Sequence, residues 1–328
     1  MAKTLQLPVE GELLSFEGAT GWLNTEPLTP ASLRGRPVLV QFWTLTCINW
    51  IRTFPYVRAW FDKYRDDGLV VLGVHTPEFE VERKIGHVQR AAEKMGITYP
   101  IAIDSDYAIW RAFGNQYWPA LYFADADGLI RHHRFGEGEY EYSEIVIQLL
   151  LAAAGADPAR RALVSVDAHG TEASADWENL RSPETYIGYG RAENFASPGG
   201  ALPDRLEAYA LPDVLRLNHW ALAGEWAVGW QAAVSNGPGC RIAHRFHARD
   251  LHLVMAPAAG DRPVRFRVLL DGAPPGSAHG VDIDEQGEGT VTEARLYQLI
   301  RQPGAIGDRA FEVTFLDLGV RAYVFTFG

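Results

Sequence analysis

Cys47 and Cys240 are the only cysteines in the chain, and the first stands where a thiol can do chemistry. It follows the apolar run VLVQFWT (38–44) and precedes a segment of helical periodicity. A helix start offers unpaired N–H groups and the positive end of a dipole. Both stabilise a thiolate, which is the nucleophilic form of the residue. The alternative is a small packed residue, the usual fate of a single cysteine. Position alone leaves both readings open. Cys240 opens a strand after the turn SNGPG, and reads either as a packed residue or as a resolving thiol for Cys47. The second role requires the two Cα atoms to come within about 7 Å. His244, His247 and His252 crowd one stretch, and His132 and His133 are adjacent. Along a single strand His244 and His252 share a face while His247 points to the other. That parity argues for a polar strand face, so no metal is expected, and no other cofactor is. VDIDEQGEG (281–289) lacks the spacing of a calcium loop and reads as a polar turn. Trp220, Trp226 and Trp230 read as core residues of a β-domain, with stacking on sugar or peptide as the alternative.

The elements that must position Cys47 follow from the pattern around it. LVVLGVH (69–75) is a second buried strand and YPIAID (99–104) a third. Helices are expected over 48–66, with Pro55 inside, over 81–95, over 107–113 and over 140–154. ALYFAD (120–125) and LIRHHRF (129–135) read as a hairpin across ADADG. Strands alternating with helices give a mostly parallel sheet, and the hairpin adds an antiparallel edge. In such a sheet the carboxyl ends of the strands share one edge, where ligands gather. Cys47 lies at that edge. Thr44, Thr46, His75, Glu78, Asn115 and Trp118 are therefore its candidate neighbours. A histidine there accepts a proton or steadies a thiolate.

The segment FWTLTCINW, the downstream Pro55, LVVLGVHTPEF and YWPALYFADADG together resemble a thioredoxin-like domain. The nearest branch is the TlpA-like and redoxin group, above all the C-terminal region of DipZ-type proteins. In that pattern Cys47 matches the attacking cysteine, and Trp118-Pro119 matches the cis-proline loop that lies against its sulfur. Trp50 stands where the resolving cysteine belongs. Thr44, three residues before Cys47, matches the threonine of T-x-x-C sites in peroxiredoxin-like proteins, without the proline of the fuller motif. The resemblance continues through SPETYIGYGRAENF, NHWALAGEW, AHRFHARDLHLV, RLYQLIRQ and AYVFTFG. These look like the carbohydrate-binding-module-like β-sandwich that follows the thioredoxin domain in DipZ-type chains.

The expected fold is thus an α/β thioredoxin-like domain over 1–155, a connection over 156–180 and an all-β, jelly-roll sandwich over 181–328. ALVSVDA (162–168) is read as an optional extra strand. The chain has 328 residues, 47% hydrophobic and 22% charged, enough apolar material for two cores. A net charge of −11 argues against a general nucleic-acid binder. No window reaches the roughly 18 apolar residues of a membrane span. The start shows no secretory pattern, so a cytoplasmic location is expected.

Trp50 decides the expected mechanism, because a tryptophan cannot attack a mixed disulfide. One thiol then acts through a mixed disulfide or a sulfenic acid that an external thiol resolves, on a disulfide or peroxide substrate. The competing class is a redox-inactive binding protein that uses the cis-proline groove, the Trp50 ring or the sandwich to hold a peptide or glycan.

Overall fold

The computed structural model describes residues 7–157, 162–258, 260 and 262–328. Residues 1–6 of the expected first domain and 158–161 of the expected connection lie outside the described residues. The chain divides into two compact units, Met1–Glu172 and Ala173–Gly328. Among the described residues, no helix is long and apolar enough to cross a membrane.

The first unit runs β1 (Gly11–Glu12), β2 (Gly21–Leu23), α1 (Pro30–Leu33), β3 (Val38–Trp43), α2 (Ile48–Tyr64), β4 (Val70–His75), α3 (Ile85–Met95), β5 (Ile101–Ile103), α4 (Ala108–Ala112), β6 (Ala120–Ala124), β7 (Leu129–Phe135) and α5 (Tyr140–Ala153). Its sheet has the order β1-β7-β6-β3-β4-β5-β2. β3, β4 and β5 are parallel, and the β6–β7 hairpin joins β3 antiparallel. Every residue of β3 and β4 is buried, as central parallel strands with both faces covered must be. Val38, Val40 and Phe42 share one apolar core with Leu72, Val74, Ala102 and Tyr122. Trp43 faces the other way and stacks on Trp50 of α2. Gly73 is required there. A Cβ at Gly73 would sit 2.9 Å from the Trp43 indole nitrogen and 3.3 Å from the Tyr99 ring. The short edge strands β1 and β2 have too few residues to show a periodicity.

Three expectations change in the structure. The helix expected from Val81 begins as a 3₁₀ turn over Glu80–Arg83, breaks at extended Lys84 and resumes as α3. The break follows from Glu82, whose carboxylate turns back to the Glu78 and Phe79 N–H groups. The run 162–168 forms no strand. Instead the Val164 N–H donates to Glu144, and the Gly170–Glu172 turn sends Glu172 to Arg58 of α2. That stretch belongs to the first unit. The run 241–256 is two strands, broken at Ala248-Arg249.

The second unit is β8 (Thr185–Tyr186), β9 (Leu206–Tyr209), β10 (Trp220–Val228), β11 (Ala233–Ser235), β12 (Arg241–His247), β13 (Asp250–Pro257), β14 (Val264–Leu270), β15 (Glu288–Val291), β16 (Arg295–Arg301), β17 (Asp308–Phe315) and β18 (Val320–Phe327). They form one curled antiparallel sheet in the order β15-β14-β17-β12-β10-β11-β18-β13-β16, with β8 and β9 alongside. The curl is made at β10. Its first half pairs with β12 and its second half with β11 and β9. Gly224 stands between the halves at φ +89, a left-handed geometry that bends the strand from one layer to the other. The two layers enclose Trp220, Trp226, Phe246, Phe266, Tyr297 and Phe325. This is the sandwich-like, all-β arrangement that the sequence leads one to expect. Trp220 and Trp226 are core residues, whereas Trp230 is exposed against Tyr189.

Candidate active site

Cys47 is the N-cap of the 17-residue helix α2. It gets there because β3 ends at Trp43 and the loop Thr44–Thr46 turns into the helix. No side chain caps the first turn, and no acidic residue lies in it. The helix-start N–H groups and the positive dipole end therefore face the thiol region with no charge of the helix's own first turn against them. Cys47 is partly exposed. Its Sγ lies 3.5 Å from the Trp118 carbonyl oxygen. The Trp118–Pro119 peptide is cis. Pairing of Phe42 with Ala120 brings this loop to the end of β3.

Trp118 is itself held. Its indole N–H donates to the Thr76 carbonyl at 3.0 Å, and its ring packs on Trp110 with centroids 4.3 Å apart. The Thr76 hydroxyl donates to Asp104, which also accepts the Ile109 and Trp110 N–H groups of α4. Burial pushes the Asp104 carboxyl up, against these hydrogen bonds. The loops after β3, β4, β5 and before β6 are thus linked at one sheet edge. Asn115 is part of the support, bonding the Tyr117 carbonyl and the Tyr122 hydroxyl.

The other expected residues have different places. Trp50 is fully buried. Its ring stacks on Trp43 at 4.3 Å and tilts against Phe54 at 5.5 Å. It occupies the expected resolving position as a core residue and presents no ring to a ligand. Thr44 is also fully buried, and its carbonyl accepts the Cys47 N–H at 3.3 Å. Thr46 directs both its N–H and its hydroxyl at Glu82. The Glu78 N–H goes to the same carboxylate. His75 is fully buried, with its ring edge-on to Trp43 at 4.7 Å. Burial pushes its pKa down to about 3, and neither ring nitrogen has a hydrogen-bond partner. His75 is therefore a neutral core side chain, unsuited to passing protons at neutral pH.

Glu82 is the site residue that pattern reading missed. It sits in a stretch read as helix, where a Glu is ordinary. Only its burial and its partners single it out.

In the second unit Cys240 is buried, with its Sγ 3.3 Å from the Glu225 carbonyl and packed under Gly224. It fills the bend of β10. His244 and His252 lie buried on separate strands, and His247 pairs with Asp308 at 2.7 Å. The single-strand parity argument thus rests on a strand that is broken. Among the described residues, no group of three or more His, Cys, Asp or Glu side chains is placed to hold a metal. Asp284 caps its own turn through the Gln286 and Glu288 N–H groups.

Residues 11–133 match the AhpC/TSA family, and residues 182–328 match a family described as thioredoxin like C-terminal domain. Protein DipZ of Mycobacterium bovis and of Mycobacterium tuberculosis is 38% identical over 272 residues, which is 82% of this chain. The chain spans 38% of the length of those two relatives. Thiol-disulfide oxidoreductase YkuV of Bacillus subtilis is 35% identical over 135 residues, covering 41% of this chain and 90% of that protein. A solved structure titled as a thioredoxin-like protein in the oxidized form is 36% identical, with a TM-score of 0.39 over 46% of this chain and 99% of its own.

Proposed function

We propose a one-cysteine thiol chemistry for this chain, which belongs to the thioredoxin-like family of thiol–disulfide oxidoreductases. One observation carries the reading. Cys47 is a partly exposed thiol at a helix start against the Trp118–Pro119 loop, while the position three residues on is a buried tryptophan. The thiolate of Cys47 attacks one sulfur of a substrate disulfide. A Cys47–substrate disulfide forms and the other substrate sulfur leaves as a thiolate. An external thiolate then attacks the mixed disulfide, restores Cys47 and carries the substrate sulfur away in a new disulfide. Trp50 cannot perform this second step. Cys240, packed in the bend of its own unit, has no exposed sulfur with which to do so. The cycle therefore needs a reducing surrounding.

Between the two substrates expected, a disulfide is favoured over a peroxide. The Thr44 hydroxyl that a T-x-x-C site would turn to the peroxide belongs to a fully buried side chain. The binding-protein reading loses its main support for the same kind of reason, since the Trp50 ring is not at the surface. The test is turnover of a small mixed-disulfide substrate with an added thiol. Cys47→Ser removes the turnover and Cys240→Ser leaves it in place. Unchanged turnover in Cys47→Ser would end the proposal.

A further inference from the structure

Glu82 is a fully buried carboxylate that the cycle above does not use. Its Oε1 accepts the Thr46 N–H at 3.2 Å and the Thr46 hydroxyl at 2.7 Å. Its Oε2 accepts the Glu78 N–H at 2.7 Å and the Phe79 N–H at 2.8 Å. No Lys or Arg pairs with it among the described residues. One side chain thus ties the loop before Cys47 to the loop after β4. That second loop also holds Trp118 through the Thr76 carbonyl, and Trp118 holds the Cys47 sulfur through its own carbonyl. The links close a ring: Thr46 to Glu82, Glu82 to the 78–79 backbone, Thr76 to Trp118, and Trp118 back to Cys47.

We propose that Glu82 is a positioning residue for Cys47, acting through Thr46, which fixes the thiol loop and holds back ionisation of the thiol. This rests on the one-cysteine reading. All four donors are backbone N–H or hydroxyl groups, so both Glu82 oxygens act as acceptors and the ionised form is the one served. Burial opposes that charge and pushes its pKa up, with the Thr46 hydrogen bond working the other way and the facing Glu78 adding to the rise. A carboxylate charge one residue from the sulfur disfavours a thiolate there. The other titratable groups at this edge are Asp104, tied to Thr76 and α4, and His75, neutral in the core. A thiol held back in this way is less thiolate at a given pH and also the poorer leaving group when the external thiolate displaces it, so Glu82 sets the pH range of attack.

The experiment follows Cys47 alkylation by iodoacetamide against pH in the full chain. Glu82→Gln keeps one oxygen for Thr46 and loses the charge. Its alkylation midpoint is expected to move to lower pH, with about a threefold to tenfold faster reaction below the midpoint. Thr46→Val removes one hydrogen bond of the ring and keeps three, so it is the milder variant and carries the test should Glu82→Gln fail to fold. It is expected to move the midpoint too, and the double variant is expected to move it by less than the sum. A purely structural Glu82 would lower the unfolding midpoint while leaving the alkylation profile superposed on that of the unsubstituted chain. Superposition, or movement to higher pH, overturns the inference while the one-cysteine reading stands. If the unsubstituted Cys47 alkylates no faster than free cysteine and Cys47→Ser keeps full turnover, the reading itself fails and this inference with it.

Discussion

Trp50→Ala is the perturbation that weighs most directly what the tryptophan does. The side chain is fully buried between Trp43 and Phe54. A tryptophan buries roughly 150–250 Å², which at about 25 cal/mol/Å² is about 4–6 kcal/mol as an upper bound. Alanine keeps a small part of that area. The indole N–H of Trp50 has no hydrogen-bond partner. Its removal returns about 1 kcal/mol or more. The expected loss is therefore about 3–4 kcal/mol, within the range of aromatic-to-alanine changes in cores. Trp50→Phe keeps most of the ring and deletes the unpaired N–H, so its expected loss is about 1 kcal/mol. Two units make a single unfolding transition a poor measure. Hydrogen exchange at the β3 and α2 amides reads the first unit by itself. Protection lowered by less than about 1 kcal/mol in Trp50→Ala would refute the packing argument, and an alanine loss no larger than the phenylalanine loss would do so as well.

The remaining predictions concern charge and the missing thiol. Glu137 sits beside the buried Arg52 at 3.4 Å. Burial pushes its pKa up to about 6, and Arg52 only partly offsets this. A raised carboxyl contributes stability below its ordinary value, and that stability is lost as pH rises through about 6. The first unit is expected to lose about 2 kcal/mol in all from this group as pH rises from well below 4.5 to well above 6, and Glu137→Gln should flatten that slope in hydrogen-exchange protection. Asp250 is fully buried between Arg249 and Arg301. Burial pushes its pKa up, but the hydrogen bonds from Arg301 and Arg249 outweigh burial and hold it low. Its contribution is therefore lost as pH falls, and Asp250→Asn is expected to cost the second unit about 3 kcal/mol in denaturant unfolding, with Cys47 alkylation unchanged. Trp50→Cys supplies a second thiol in the motif. On mild oxidation it should lose two hydrogens within the 47–50 peptide, at a stability cost similar to that of alanine.

Much of this was legible in the sequence because the first unit announces itself locally. VLVQFW and VVLGVH are continuous apolar strands, and Cys47 falls between strand and helix without any tertiary information. The cis-proline loop arrives opposite β3 because the hairpin pairs Phe42 with Ala120. Side-chain direction was not legible. Periodicity places Trp50 near the thiol but does not say that its ring turns onto Trp43. His75 ends its strand at the expected edge, yet its side chain points into the core rather than out to solvent. Glu82 escaped notice because hydrogen bonds to backbone N–H groups leave no trace in residue types. The bend of the second unit depends on one left-handed glycine, Gly224, among several glycines that look alike in sequence.

The central claim is that Cys47 alone carries the chemistry and needs an outside thiol to complete it. The most direct measurement is intact-protein mass spectrometry of the native, reduced chain mixed with glutathione disulfide, followed by peptide mapping and then by added free thiol. The account predicts one glutathione adduct on Cys47, an unmodified Cys240, and full recovery of the reduced mass when the thiol is added. A Cys47–Cys240 disulfide, or an adduct on Cys240 with Cys47 untouched, would contradict it.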